Sequence, residues 1–134
     1  NNTYALVIPA KLAVEKQIRT ITDLQRHPYL KAGISYEFLK RNDGWKNLAQ
    51  TYQLPQKPVA LEHGLAYQAM NENQIDFTDA YSTDGEIKAN NLIVLRDDKS
   101  FFPRYEAVYF YKDELSSLLK PVLAVLEKRI DEDK

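Results

Sequence analysis

The stretch Asp79-Ala80-Tyr81-Ser82-Thr83-Asp84-Gly85 lies between two predicted elements of secondary structure. The alternating residues 75–77 predict a short strand before it, and residues 86–89 predict the first turn of a helix after it. Tyr81 is therefore expected at the end of a strand, with the side-chain oxygens of residues 82–84 available to cap the helix. Ligands of α/β proteins usually bind at the carboxyl ends of strands. The stretch predicts either a ligand site or a capped turn with a half-buried tyrosine.

The pattern around this stretch alternates strands with helices. Residues 4–8 form an apolar run closed by Pro9, which is typical of a strand buried on both faces of an α/β sheet. Gly64 is expected to separate a strand from the helix that follows it. The other predicted strands are residues 30–34, 59–63, 92–95 and 107–111, and the predicted helices are residues 11–17, 22–27, 36–41, 45–52, 65–73 and 113–134.

Composition indicates one small globular domain. The chain has 134 residues, with 44% hydrophobic and 28% charged residues, which is sufficient for a single core. The net charge is −1 with acidic and basic residues interspersed, which argues against a nucleic-acid surface. No run approaches the roughly 18 to 20 apolar residues of a membrane span, and no signal peptide is visible. The absence of cysteine excludes disulfides and thiol chemistry.

Enzymatic chemistry has little support in the sequence. His27 and His63 are the two histidines, and neither is accompanied by a cluster with the spacing of metal ligands or of a catalytic triad. We interpret His63 as a strand-end residue satisfied by backbone groups. The adjacent Asp97 and Asp98 fall on a charged turn, where we expect both to be solvated. No enzyme activity, metal or cofactor is predicted. An enzyme built on the same α/β fold is kept as a further alternative.

Glu37 and Arg41 are the first candidates for ligand chemistry beyond Tyr81. They are four residues apart in a predicted helix capped by Ser35, so the carboxylate is expected to orient the guanidinium. An arginine held in this way presents a planar fork that matches a carboxylate ligand. The alternative is a surface ion pair with little effect on stability. Trp45 offers a cation-binding ring, but its spacing from Leu48 favours core packing.

Several segments, in order along the chain, resemble the substrate-binding proteins of ABC importers for quaternary ammonium osmoprotectants such as glycine betaine, choline and carnitine. The resemblance covers residues 1 to about 112. The matching motifs are Asn1-Asn2-Thr3-Tyr4-Ala5-Leu6, Phe38-Leu39-Lys40-Arg41-Asn42-Asp43-Gly44, Gly64-Leu65-Ala66-Tyr67-Gln68-Ala69, the stretch around Tyr81, and Leu95-Arg96-Asp97-Asp98-Lys99-Ser100-Phe101-Phe102-Pro103-Arg104-Tyr105.

The resemblance implies a particular architecture. Family members have two lobes, and this chain is similar to the second lobe of a type II periplasmic binding protein. We therefore expect a three-layer α-β-α lobe with a mixed, mostly parallel sheet of about five strands. Residues 1–112 would form the ligand-binding lobe, and residues 113–134 a returning helical segment that normally packs on the first lobe. The chain would then be incomplete, either as a fragment or as part of a permease fusion.

The resemblance also implies a binding site. Tyr4, Tyr81 and Tyr105 match positions at which the family places rings of an aromatic cage, and Arg41 matches an arginine near the ligand's carboxylate. A trimethylammonium group has no hydrogen to donate, and rings within about 6 Å can replace its water shell. Asn2 lies two residues before Tyr4 and so on the same strand face. Asn2 and Glu37 are secondary candidates for holding the cage.

The implied function is capture of glycine betaine, choline or carnitine for uptake in osmoprotection. The implied partners are the small-molecule quaternary amine, the first lobe and an ABC permease, with an extracytoplasmic location that is periplasmic, anchored at the cell surface or fused to the permease. The alternative is a ligand-sensing effector domain of a regulator or receptor with the same fold. Without the first lobe, the apolar stripe of residues 113–134 is expected to pack back on the lobe or form a homodimer, and the isolated chain is expected to bind ligand weakly.

Overall fold

A computed structural model describes residues 2–103, 105 and 108–125. Its strands are β1 (Tyr4–Pro9), β2 (Ala32–Ser35), β3 (Val59–Leu61), β4 (Phe77–Tyr81) and β5 (Leu92–Val94). Its α-helices are α1 (Ala10–Lys16), α2 (Tyr36–Lys40), α3 (Trp45–Tyr52), α4 (His63–Asn71), α5 (Gly85–Ala89) and α6 (Ser116–Ala124). Two short 3₁₀ helices span Thr22–Arg26 and Asp113–Leu115.

The five strands form one mixed sheet in the order β3-β2-β4-β1-β5. β2 is parallel to both β3 and β4, whereas β1 is antiparallel to β4 and β5. Four strands therefore point one way and β1 points the other. The expected mixed, mostly parallel sheet of five strands is confirmed. Because β1 is antiparallel to β4, the first residue of β1, Tyr4, pairs with the last residue of β4, Tyr81.

Helices cover both faces of the sheet and produce two apolar clusters. Alternate residues of β1 point to opposite faces, so Leu6 and Ile8 pack with α1, α2 and α3, while Val7 packs with α4. The sheet is thus the middle of three layers, as expected. Trp45 is buried against Phe77, with ring centroids 6.1 Å apart, which confirms its interpretation as a core residue.

Several predicted element boundaries are corrected by the structure. The strand expected at residues 75–77 begins at Phe77 and continues to Tyr81, so Asp79 lies within the strand. Gly64 lies inside the first turn of α4 and does not precede the helix. Glu62 accounts for this difference, because its carboxylate accepts the backbone N–H of Leu65 at 3.2 Å and caps a helix that begins at residue 63.

The end of the chain also differs from expectation. The strand predicted at 107–111 is not formed over 108–111, and residue 107 lies outside the described part. In the predicted helical segment 113–134, α6 continues through Pro121 without a break, and residues 126–134 lie outside the described part. No residue of the second 3₁₀ helix or of α6 is buried. The described part of this segment therefore does not pack back on the lobe.

Asp97 is held by several hydrogen bonds, whereas its neighbour Asp98 is exposed. Its carboxylate accepts the hydroxyl of Tyr52 and the backbone N–H groups of Phe101 and Phe102, the latter two at 2.9 Å. Asp98 is exposed, and its carboxylate accepts the hydroxyl of Thr22 at 2.6 Å. The expectation that both are solvated is thus wrong for Asp97, which holds the loop leading to Phe102.

Candidate functional site

A cavity of about 240 Å³ lies where β1 begins and β4 ends. Ligand pockets for drug-sized molecules occupy ~300–1,000 Å³, so a cavity of this size suits a small solute. All six residues singled out from the sequence line it. The lining residues are Asn2, Thr3, Tyr4, Glu37, Arg41, Tyr81 and Tyr105.

Three tyrosine rings form the aromatic part of the cavity. The ring centroid of Tyr4 lies 4.8 Å from that of Tyr81, with a 41° angle between the planes. It lies 6.3 Å from the centroid of Tyr105 in an edge-on arrangement with a 71° interplanar angle. The rings are mutually inclined and not stacked in parallel, and all three residues line the same cavity. This arrangement is concave and rich in π-electron density.

Glu37 binds two of the tyrosine hydroxyls. The Tyr4 hydroxyl donates to Oε1 of Glu37 at 3.0 Å, and the Tyr81 hydroxyl donates to Oε2 at 3.3 Å. The two phenol oxygens are themselves 3.1 Å apart. Burial, together with the hydrogen bonds to Tyr81 and Glu37, raises the pKa of Tyr4 well above its usual range. Tyr4 therefore stays a neutral donor, and the carboxylate holds both hydroxyls in place.

Arg41 is oriented by Asp43 and not by Glu37, which corrects the pairing expected from helical spacing. Its Nε and Nη2 donate to the two carboxylate oxygens of Asp43 at 2.7 and 2.8 Å. α2 ends at Lys40, and Arg41 has extended backbone angles of φ −77° and ψ 150°. Its side chain therefore leaves the helix face that carries Glu37. The guanidinium carbon lies 5.0 Å from the centroid of the Tyr4 ring, within cation–π distance.

Asp43 also holds the third tyrosine. The Tyr105 hydroxyl donates to Oδ2 of Asp43, and burial followed by this hydrogen bond raises the pKa of Tyr105 to about 12. The bidentate contact with Arg41 is the main cause that lowers the pKa of Asp43 to about 2. From the sequence, Asp43 appears within a matching motif but is not singled out as a site residue. Its position two residues after Arg41 was the available signal.

A buried hydrogen-bond network fixes α2 against the sheet. The carboxylate of Asp79, fully buried in β4, accepts both the backbone N–H and the hydroxyl of Ser35 at 2.6 Å. The Ser35 hydroxyl oxygen in turn accepts the N–H of Phe38 at 3.1 Å, which confirms Ser35 as the cap of α2. Burial raises the pKa of Asp79 despite these hydrogen bonds. The network sets the position of Glu37 relative to Tyr81 on the neighbouring strand.

His63 is bonded to a side chain and not to the backbone, contrary to expectation. Its Nε2 lies 3.1 Å from Oδ2 of Asp84, and its ring centroid lies 5.2 Å from that of Tyr81. Asp84 also accepts the N–H of Tyr81 at 2.9 Å, which closes the turn after β4. The predicted capping of α5 by a side chain in this turn is not seen for Asp84, because its carboxylate faces Tyr81.

Asn2 and Thr3 form the rim at the start of β1. The side-chain oxygen of Asn2 accepts the hydroxyl of Thr83 at 3.0 Å, and the N–H of Thr3 donates to Oγ of Ser82 at 3.1 Å. These contacts attach the beginning of β1 to the turn after β4. Asn2 thus helps to hold the two chain segments that carry Tyr4 and Tyr81.

A second, largely apolar cavity of about 340 Å³ adjoins the first. The two cavities share Thr3, Tyr4 and Tyr105, and the second extends towards Val94 and Phe102. Together they provide more room than the aromatic cavity alone.

The cavity lining offers aromatic rings and charged groups. Within residues 2–103, 105 and 108–125, no group of three or more His, Cys, Asp or Glu side chains could hold a metal ion. Three aromatic rings, the guanidinium of Arg41 and the carboxylate of Glu37 line the cavity together. No helix in the described part of the chain has the length and apolar character needed to cross a bilayer.

Comparisons with known proteins relate this chain to solute-binding proteins of ABC transporters. The sequence profile of a family described as the substrate-binding domain of the ABC-type glycine betaine transport system matches residues 1–134. The chain is 35% identical over 117 residues to the carnitine transport binding protein OpuCC of Listeria monocytogenes (serotype 1/2a, strain 10403S), covering 85% of this chain and 38% of that protein. It is 33% identical over 130 residues to the ergothioneine transport permease/ergothioneine binding protein EgtU of Helicobacter pylori (strain G27), covering 96% of this chain and 24% of that protein.

A solved structure shares the fold. The crystal structure of a glycine betaine/carnitine/choline ABC transporter protein superposes with a TM-score of 0.77 at 32% identity, covering 95% of this chain and 47% of that one. The chain therefore spans less than half the length of each of these relatives. The family consists of solute-binding domains and not of enzymes. With the profile matching from end to end, this chain belongs to the family of substrate-binding domains of ABC-type glycine betaine transport systems.

Proposed function

We propose that this chain captures a quaternary ammonium compatible solute in the aromatic cavity and delivers it to an ABC permease. The observation that carries the proposal is the convergence of Tyr4, Tyr81 and Tyr105 on one small space. A trimethylammonium cation is attracted to the faces of such rings, by roughly 0.5 to 2 kcal/mol for each desolvated contact. The Glu37 carboxylate lines the same cavity and adds a negative charge near the cation.

Arg41 defines the second half of the proposed ligand. Asp43 fixes its guanidinium at the cavity, where its remaining N–H groups can bind a carboxylate. A zwitterion with a cationic head and an anionic tail matches this pair of features, which favours glycine betaine or carnitine over choline. Choline lacks the carboxylate but satisfies the aromatic half of the site.

The ligand need not be as small as glycine betaine. The adjoining apolar cavity shares Tyr4 and Tyr105 with the aromatic site and provides room for a longer betaine. The Listeria relative is named for carnitine and the Helicobacter relative for ergothioneine. We propose that ligands of this larger type use the same three rings for their ammonium group.

The cavity is open to solvent, and a first lobe would complete it. We propose that residues 1–112 act as the second lobe of a two-lobed binding protein and that 113–134 return towards the first lobe. Support comes from the exposure of Leu118, Val122 and Val125, which are 66%, 60% and 58% exposed. Closure of two lobes on the ligand would then select the state that the permease recognises. Such a protein acts outside the cytoplasm, either free, anchored or fused to its permease.

The isolated chain is expected to associate through the same exposed helix. Apolar side chains normally covered by a first lobe would be free to pair with a second copy. Light scattering should show a concentration-dependent homodimer of the chain alone and a monomer when the first lobe is present. A strictly monomeric isolated chain at high concentration would remove this part of the proposal.

The ligand is tested by titrating the full-length protein with glycine betaine, carnitine, ergothioneine and choline, using glycine as the amino-acid control. We expect saturable binding of the quaternary amines and none of glycine, with Tyr81→Ala weakening binding at least about tenfold. His27→Ala, remote from the cavity, is the matched control. Binding of glycine with similar affinity would refute a quaternary ammonium site.

A further inference from the structure

The ring of Tyr81 has an aromatic neighbour that does not line the cavity. The His63 ring centroid lies 5.2 Å from that of Tyr81, at an interplanar angle of 52°. This separation is close to the 4.8 Å between Tyr81 and Tyr4, which do line the cavity. Tyr81 is only partly buried, so its ring depends on these few contacts for its orientation. His63 is one of them.

His63 also reaches the backbone of Tyr81 through Asp84. Oδ2 of Asp84 lies 3.1 Å from Nε2 of His63 and accepts the backbone N–H of Tyr81 at 2.9 Å. The same oxygen accepts the Tyr67 hydroxyl at 2.7 Å. A carboxylate oxygen only accepts, so Nε2 of His63 carries the proton in this contact. The histidine therefore contacts Tyr81 twice, directly at the ring and indirectly at the backbone.

Precise ring placement matters at a cation–π site. Such constellations must be held within about 0.5 Å and 10–20° of the productive geometry by side chains that are themselves fixed. Glu37 holds the hydroxyl of Tyr81, but the ring can still rotate about the axis from its Cβ to its hydroxyl oxygen unless its flank is supported. His63 begins α4 and is held by Asp84, so it can give that support.

We propose that His63 is a positioning residue of the quaternary ammonium site: it supports the Tyr81 ring through its own ring and fixes the turn after β4 through Asp84. This proposal rests on the proposed function. Removing the imidazole leaves a gap beside Tyr81 and deprives Asp84 of one of its donors. The Tyr81 ring then samples orientations that do not face the cation, and affinity falls although no ligand contact is lost.

The test measures the dissociation constant of choline by NMR titration of the full-length protein, a method that follows binding into the millimolar range. Choline is used because it does not engage Arg41 through a carboxylate. We expect His63→Ala to weaken binding roughly threefold to tenfold, the range for an aromatic pair. His63→Phe, which keeps a ring, and His63→Gln, which keeps a donor for Asp84, should each restore part of the loss.

A double-mutant cycle distinguishes the positioning role of His63 from a purely structural role. In a Tyr81→Ala background, His63→Ala should cause no further loss of affinity, because its effect passes through the Tyr81 ring. An equal loss in both backgrounds would overturn the proposal, as would wild-type affinity in all three His63 variants. His27→Ala is the matched control, since His27 also contacts a tyrosine, Tyr29, with ring centroids 5.8 Å apart, but away from the cavity.

Failure of the proposed function has a different signature. If the wild-type protein does not bind choline, or if Tyr81→Ala binds it as well as wild type does, the quaternary ammonium site itself is wrong and the His63 proposal falls with it. If wild type binds and Tyr81→Ala weakens binding while the His63 variants do not, only the positioning role is refuted.

Discussion

The hydroxyl oxygens of Tyr4 and Tyr81 lie 3.1 Å apart although the residues are 77 positions apart in the chain. They meet because β1 and β4 are antiparallel neighbours and pair at these two residues. Each hydroxyl also donates to the carboxylate of Glu37. The register of one strand pair thus places two rings of the proposed cage, and one carboxylate holds both of their hydroxyls.

Glu37→Gln should weaken binding of every quaternary amine. The amide retains one acceptor for the tyrosine hydroxyls but removes the negative charge from the cavity lining. We expect about a fivefold loss of affinity for choline and for glycine betaine alike, measured by calorimetry. Glu15→Gln, an exposed site on α1, should leave both affinities unchanged. Wild-type affinity in Glu37→Gln would contradict a role for this charge.

Arg41→Gln should discriminate between ligands with and without a carboxylate. Loss of a charge-assisted hydrogen bond costs about 1.5–3 kcal/mol, so affinity for glycine betaine should fall roughly tenfold or more. Choline affinity should be unchanged or higher, because a cation is removed from the face of Tyr4. Arg26→Gln, which removes an arginine bound to Asp23 at 2.7 Å, is the matched control. Equal losses for both ligands would argue against the carboxylate contact.

The free energy of unfolding should depend on pH in the acid range because of Asp43. Its pKa is lowered from 3.8 to about 2 in the folded protein, chiefly by the hydrogen bonds from Arg41. The stabilisation is therefore complete above the unfolded pKa near 3.8 and is lost as the pH falls through about 2. Urea unfolding should show Asp43→Asn to be less stable than wild type by on the order of 1 kcal/mol at pH 6. The difference is this small because solvent screens the partly exposed contact between Asp43 and Arg41.

That difference should shrink as the pH approaches 2, where the wild-type carboxyl is half protonated. A difference that stays constant across this range would show that the Asp43 contacts do not depend on its charge. Asp98→Asn is a useful comparison, because Asp98 is exposed and hydrogen-bonded to Thr22.

Gly44 should tolerate no side chain. A Cβ built at this position would lie 1.9 Å from the carbonyl oxygen of Phe38, an atom of the α2 backbone. Gly44→Ala must therefore move the turn that carries Arg41 and Asp43, and we expect a loss of about 2 kcal/mol or more in thermal unfolding. Gly85→Ala is the matched control, since nothing lies within 4 Å of a Cβ there. Equal melting temperatures for the two variants would contradict the close approach.

The sequence predicted strands and helices where burial produces a clear period. Residues 4–8 are apolar because both faces of β1 are covered, and the observed strand is Tyr4–Pro9. The apolar run 92–95 gave β5, an edge strand in which Leu92 is buried and Val94 is exposed. Predicted boundaries were wrong where a capping residue determines the start of a helix. Glu62 caps α4, so the helix begins at residue 63, two residues before the predicted start at residue 65.

The candidate residues came mostly from resemblance, and the fold brings them into one cavity. Their pairings were less predictable. Helical spacing joined Glu37 to Arg41, but α2 ends one residue too early for that contact, and the turn after α2 brings Asp43 to Arg41 instead. His63 and Asp84 are 21 residues apart, and only the packing of α4 beside the end of β4 joins them. Local sequence patterns cannot predict a contact between residues this far apart in the chain.

The most direct test of the cage compares choline with its neutral carbon isostere, in which a quaternary carbon replaces the nitrogen. The two molecules have the same shape and the same hydroxyl, so they differ only in the charge that the rings of Tyr4, Tyr81 and Tyr105 are proposed to recognise. Titration calorimetry of the full-length protein should show binding of choline and at least about tenfold weaker binding of the isostere. Equal affinities would show that the cavity selects shape and not a quaternary cation, and would contradict the proposed site.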